Sequence, residues 1–206
     1  SGAFQLLQRA ERYGFLVVED DVSRDMPATP APLLAALAGT ERVVVVSGFS
    51  KNVMPSMRVG YLLCSGELFK QCARAKMSLG LTSAEMMERA VHQVLRQGRH
   101  GAYMRRVRDR LRLAHDQVAG LLHEHGFEIH TEPGAGLFLW ARPARVEDRV
   151  GALAVAAEAL KAGIWLAPGA YFDPKGEDTA WFRFNVAYSG HPQLWRFFSE
   201  RQALRR

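Results

Sequence analysis

The chain has 206 residues, 48% hydrophobic and 23% charged, which excludes a disordered tail and allows one large domain or two small ones with a core of their own. Its 27 Lys and Arg against 21 Asp and Glu give a net charge of +6, enough to make a phosphate or polyanionic ligand worth considering but not to establish one. Two cysteines, Cys64 and Cys72, make neither a disulfide framework nor a zinc site, and the most apolar short run, Val43 to Val46, is far too short to span a bilayer as a helix.

Phe4, Leu6, Leu7 and Ala10 show helical spacing from the very start, so the chain is expected to begin at the edge of a helix, as an excerpt of something longer. With no signal-peptide layout, and with cysteine usage that suits a reducing compartment, it is expected to be cytoplasmic and to have no membrane partner. Phe15 to Val18, Arg42 to Val46 and Val59 to Leu63 are short apolar or β-branched runs that read as strands. Between the first two lie a proline-rich surface segment, Met26 to Pro32, and a short helix over Leu33 to Leu37. Strand, loop, helix, strand is the layout of an α/β sheet.

From Gly66 to about Gly126 the pattern is helical, with breaks near Gly80 to Ser83 and Gly98 to Gly101. Inside it, Arg105, Arg106, Arg108, Arg110 and Arg112 accompany an apolar stripe of Met104, Val107, Leu111, Val118 and Leu121. That run reads as a solvated helix face, with a nucleic-acid patch as the alternative. After Gly126 come strands over Phe127 to His130 and Leu137 to Ala141 joined by a turn at Pro133-Gly134, a helix from about Glu147 to Ala162, strands over Ile164 to Ala167 and Trp181 to Val186, and a last helix from His191. The seven histidines show no metal-ligand spacing, so no metal is expected.

The chemistry concentrates after the second strand. Ser47-Gly48-Phe49-Ser50-Lys51 puts Lys51 on a loop at a strand's carboxyl end, the edge where α/β sheets bind ligands. A lysine there can form an imine with an aldehyde if it can lose its proton, and Ser50 with Arg58 could hold a phosphate beside it. Taken alone, such a lysine is surface decoration; Ser-Lys followed by Pro55 and by Arg58-Val59-Gly60-Tyr61 is far more specific.

This pattern resembles the pyridoxal-phosphate (PLP) lysine motif S-x-S-K-x-x-x-P-x-x-R-x-G-Y of the fold-type I aminotransferases, complete but for its first serine, which is Gly48. Upstream, Val17-Val18-Glu19-Asp20-Asp21 resembles the strand end where that family sets an aspartate against the pyridine nitrogen, which the resemblance assigns to Asp20. Downstream, Glu132 to Trp140 resembles the family's small-domain hairpin, and Ala167-Pro168-Gly169-Ala170-Tyr171-Phe172 the segment before its last strands. In Trp181 to Ala187 a single arginine, Arg183, falls where the family grips a substrate carboxylate. The resemblance implies an α/β fold that is the C-terminal portion of a fold-type I aminotransferase: part of the large domain's mostly parallel sheet over 1–80, connecting helices over 81–125, and an α+β small domain over 126–206. It also implies a homodimer, and an amino acid or amine as the small-molecule ligand.

Two departures bear on function. The family tyrosine that follows the aspartate by two or three positions is replaced by Val22 and Ser23, and Gly48 removes one phosphate hydroxyl. The family's first half has no counterpart before Ser1, and three strands alone would leave an exposed sheet edge, which predicts aggregation, a partner chain or missing protein. The combined pattern looks most like the aminotransferase-like effector domain of MocR-type regulators of the GntR family. Those regulators bind DNA through a separate winged-helix domain, absent from this chain, and use PLP as a sensor, so the resemblance implies that DNA is reached only through that domain. A PLP-dependent aminotransferase using Lys51 is the alternative.

Overall fold

In the computed structural model, residues 2–27, 29–130 and 136–203 are described. The chain divides into two units, Ser1–Arg106 and Val107–Arg206. In the first, α1 (Gly2–Tyr13), β1 (Val17–Asp20), α2 (Leu34–Ala38), β2 (Val43–Gly48) and β3 (Gly60–Leu63) form a three-stranded sheet with two helices on one face. β1 and β2 are parallel, with Val17 opposite Val43 and Asp20 opposite Val46. β3 returns antiparallel to β2, pairing Gly48 with Gly60 and Val45 with Leu63.

β2 is the central strand, and Val43, Val44 and Val45 are all buried, as a continuous apolar run covered on both faces should be. β1 alternates instead. Val17 packs with Ala10, Leu7, Leu34 and Ala35, whereas Val18 stays 65% exposed. The strand expected over Phe15 to Val18 begins two residues later. Gly14 turns the chain at φ 70°, and the ladder opens only with the Val17 N–H donating to Arg42 O at 2.9 Å. It then runs through Glu19 to Asp20, because Glu19 points inward and its carboxylate accepts the Leu34 N–H at 3.0 Å. That bond satisfies a first-turn amide of α2, whose N-cap residue, Leu33, supplies no side-chain acceptor. The helical stretch follows as α3 (Gly66–Gly80), α4 (Glu85–Arg96) and α5 (Arg99–Glu124), broken where the sequence places its glycines.

The second unit holds most of α5, then β4 (Phe127–Ile129), β5 (Phe138–Pro143), α6 (Ala152–Lys161), β6 (Ala167–Pro168), β7 (Phe182–Asn185) and α7 (Pro192–Ala203). Its sheet runs β4-β5-β7-β6 and is antiparallel throughout. Val118 and Leu122 of α5, Val155 and Ala159 of α6, and Leu194, Trp195 and Phe198 of α7 close over Leu139, Phe182 and Phe184. Phe127 meets Phe184 edge-on at 5.7 Å, and Trp195 stacks on Phe184 at 6.2 Å while donating its indole N–H to Ser189 O at 2.7 Å.

In this unit two boundaries differ most from the sequence expectation. The helix expected from Glu147 starts at Ala152, after a single 3-10 turn over Val146–Asp148, because its N-terminal amides are met from afar: the Leu153 N–H donates to the Asp178 carboxylate at 3.1 Å. The strand expected over Ile164 to Ala167 is the two-residue β6, since only Ala167 and Pro168 find partners, Arg183 and Phe182. The Pro133-Gly134 turn lies outside the described residues. Among the described residues, no helix is long and apolar enough to cross a membrane.

Candidate functional site

β1 and β2 are parallel and in register at Asp20 and Val46, so both strands release their chains at the same sheet edge. Asp20 ends β1 on the face it shares with exposed Val18, and one of its carboxylate oxygens accepts the Val22 N–H at 3.2 Å. The loop from β2 to β3 carries Ser50, Lys51 and Arg58. Lys51 and Arg58 are exposed and Ser50 is half-buried.

The loop is anchored at both ends. The Phe49 N–H donates to Val59 O at 3.0 Å, and the Val53 and Met54 amides fold back on Phe49 O. The Phe49 ring lies 5.8 Å from Tyr61 of β3. Pro55–Met57 make a 3-10 turn, and Arg58 then takes a left-handed conformation, φ 53° and ψ 33°, that costs a non-glycine residue about 1–3 kcal/mol. Strain of this kind, kept at one residue of a well-anchored loop, fixes where that residue's side chain starts.

Three hydrogen bonds tie this loop to its surroundings. The Ser47 hydroxyl donates to Asp21 O at 3.1 Å, the Asn52 amide nitrogen donates to the Asp25 carboxylate, and His100 Nε2 donates to Asn52 O at 3.1 Å. Asn52, next to Lys51, also keeps a buried side-chain oxygen with no protein partner among the described residues. Sequence reasoning passed over Asp25, Asn52 and His100. Their separation along the chain hides the link, and only the adjacency of Asn52 to Lys51 could have pointed to it. Burial pushes the Asp21 carboxyl above its ordinary value against the pull of Arg24, 3.5 Å away, with Glu19 and Asp25 adding to the rise. Desolvation, then the neighbouring Cys72 thiol, push the Cys64 thiol up, which disfavours a reactive thiolate there.

Arg183 belongs to the second unit. It sits on β7, an inner strand between β5 and β6, opposite Trp140 and Ala167. Phe182 and Phe184, on either side of it in sequence, point into the core at 1% exposure, so Arg183 and Asn185 face the other way. The guanidinium lies between two rings, 4.1 Å from the centre of Phe138 and 4.4 Å from that of Phe172. It lines an open cleft of about 920 Å3 with Phe138, Trp165, Asn185 and Tyr188. A flat cation held between two aromatic faces keeps its N–H edge for a carboxylate. The two phenylalanines were not singled out from the sequence, although Phe138 and Phe172 both lie within segments that the resemblance marks.

A parallel pair with an antiparallel third strand, followed by a long helical stretch and an antiparallel α+β unit, is a mixed α/β arrangement that solved aminotransferase structures share. The crystal structure of LysN, an α-aminoadipate aminotransferase from Thermus thermophilus complexed with N-(5'-phosphopyridoxyl)-L-leucine, matches 98% of this chain and 55% of its own at a TM-score of 0.84 and 25% identity. The aminotransferase class I and II family pattern matches residues 4–197, and the chain belongs to that family. Among curated proteins, the HTH-type transcriptional regulator TauR of Rhodobacter capsulatus is 29% identical over 89% of this chain and 38% of its own length. The 2-aminoadipate transaminase of Thermus thermophilus is 27% identical over 89% of this chain and 47% of its own. The chain thus spans less than half the length of these two curated relatives.

Proposed function

We propose that this chain is a PLP-binding, aminotransferase-like effector domain of a MocR/GntR-type transcriptional regulator, with Lys51 as the cofactor's attachment point. The observation that carries the reading is the strained, anchored loop that presents Ser50, Lys51 and Arg58 at the sheet edge where β1 ends in Asp20. The donor set suits PLP: an amine for its aldehyde, a hydroxyl and a guanidinium for its phosphate, and a carboxylate for its ring nitrogen. When bound, PLP supplies a sink for the electrons left on a ligand's α-carbon. Lys51 Nζ holds the cofactor and is the base that takes a proton, Arg58 and Ser50 neutralise and orient the phosphate, and Asp20 keeps the ring nitrogen protonated. Arg183 takes the carboxylate of an amino-acid ligand.

Residues 1–80 then act as the cofactor-binding part, 81–125 as connecting helices and 126–206 as the small domain, in a cytoplasmic homodimer that reaches DNA through a separate winged-helix domain. Likeness to TauR supports a regulator, and so does the lack of a phenol at Val22 or Ser23, since a missing donor to the cofactor's phenolic oxygen costs turnover more than ligand sensing. A PLP-dependent aminotransferase is the second reading, supported by likeness to the 2-aminoadipate transaminase. Offering the PLP-loaded chain a panel of amino acids and amines separates them. A ligand-dependent change of cofactor absorbance without turnover is expected; steady amino-group transfer to a 2-oxo acid, abolished by Lys51→Ala, would contradict the regulator reading.

A further inference from the structure

The excess of positive over negative charge in this chain falls in one short segment. Residues 96–112 hold seven arginines and one aspartate, leaving 20 basic and 20 acidic residues elsewhere, so the whole net charge of +6 lies in this short segment. All but Arg96 of these arginines lie on α5, a continuous helix. Arg99, Arg105, Arg106, Arg110 and Arg112 are exposed and Arg108 is half-exposed. Among the described residues, Arg112 alone of them forms an ion pair, with Asp116 at 3.7 Å.

A helix face that merely meets water ordinarily mixes both signs in i,i+4 pairs, as Glu85 and Arg89 do on α4. Unpaired like charges one turn apart instead repel, each such pair costing a few tenths of a kcal/mol. The run contains no lysine, and the planar fork of arginine suits phosphate oxygens. From Arg99 to Arg112 the helix covers roughly 20 Å at 1.5 Å per residue. Over that length duplex DNA presents about 12 phosphates at one per 1.7 Å. A membrane surface would need a continuous apolar edge beside the basic one, but Met104, Val118 and Leu122 of α5 are buried, and the run and its end expose only Tyr103 and Leu113 as large apolar side chains among the described residues. Single-stranded RNA would need interleaved stacking rings, and the run offers only Tyr103 and His100, whose imidazole is already held against Asn52 O.

We propose that the arginine face of α5 is a sequence-independent contact to the backbone of duplex DNA, so that the effector module itself lies along DNA. The proposal rests on the regulator reading for its role, but it is tested separately. Fluorescence anisotropy of the chain with a short random-sequence duplex, repeated over a salt series, reads it directly. With four or five phosphates engaged, log Kd should change with log salt at a slope of about 4, given about 0.9 per phosphate. Changing Arg105, Arg106, Arg108 and Arg110 together to Gln should remove about 3 from that slope and weaken low-salt binding at least tenfold, while the same four changed to Lys keep most of it. PLP absorbance and amino-group turnover on the same samples report the cofactor and regulator readings independently. Absence of duplex binding at low salt, equal binding by the Gln variant, or tighter binding to RNA or to phosphatidylglycerol vesicles overturns the proposal.

Discussion

Arg183 and Arg58 are both guanidiniums, yet the chain holds them in opposite ways. Arg183 is clamped by its side chain, between Phe138 and Phe172. Each cation–π contact contributes about 0.5–2 kcal/mol, and together they fix the plane in which the N–H donors lie. Phe138→Leu or Phe172→Leu is therefore expected to weaken binding of an amino-acid ligand about 2- to 30-fold. Binding of the corresponding amine, which lacks the carboxylate, should change little, and Phe→Tyr should restore the difference. Equal losses for acid and amine in isothermal titration would mean that the rings serve packing alone.

Arg58 is held by its backbone, in a conformation that glycine adopts without strain. Arg58→Gly should leave thermal stability unchanged or slightly raised, because relief of strain offsets the entropy that glycine loses on folding. PLP affinity should fall about tenfold or more, as expected for loss of a charge-assisted phosphate contact of about 1.5–3 kcal/mol. A variant that unfolds earlier but keeps its PLP affinity would assign Arg58 a structural role.

The β2–β3 hairpin brings backbone close to two glycines of this chain, Gly60 of the motif and Gly48, which stands where the motif has its first serine. A Cβ on Gly60 would stand 2.9 Å from Ser47 O, and one on Gly48 would stand 3.2 Å from Val59 O and 3.3 Å from the Gly60 Cα. All of these obstacles are backbone, so the strands themselves would have to move. Gly60→Ala is expected to cost about 1–3 kcal/mol by thermal denaturation, and Gly48→Ser, though it restores the family's residue, to bring strain along with its hydroxyl. A Gly60→Ala chain as stable as the wild type would refute this account of the hairpin.

The sequence made the α/β class and the order of elements legible, because Val43 to Val46 and Phe182 to Phe184 carry strand signals that tertiary context reinforces. It did not make legible the features set by distant partners: the Glu19 carboxylate that caps α2, the Asp178 carboxylate at the start of α6, and the Asp25–Asn52 link beside Lys51. Each joins residues that no local pattern relates. At the site, Lys51, Ser50 and Arg58 could be picked out because a contiguous motif spells them; Phe138 and Phe172 could not, because the clamp exists only once β5 and the 3-10 turn Gly169–Phe172 lie beside β7.

Across the whole molecule, the two units differ in how much apolar surface they bury. The second closes its own core around Phe182, Phe184 and Leu122. The first buries Val43 and Val45 but leaves Val18, Tyr61, Leu62 and Leu63 on the surface, with every residue of β3 exposed. This is the exposed edge that the three-strand reading anticipated, and such edges recruit further strands. The loop that bears Lys51 springs from that same sheet, so cofactor binding and the covering of this surface are linked expectations.

The central claim is that Lys51 is where PLP attaches, and borohydride reduction of the chain under saturating PLP, followed by peptide mass mapping, tests it most directly. The account predicts a pyridoxyl label on the peptide containing Lys51, lost in Lys51→Ala and weakened in Arg58→Gly. An unmodified Lys51 peptide, or labelling spread evenly over other lysines, would contradict it.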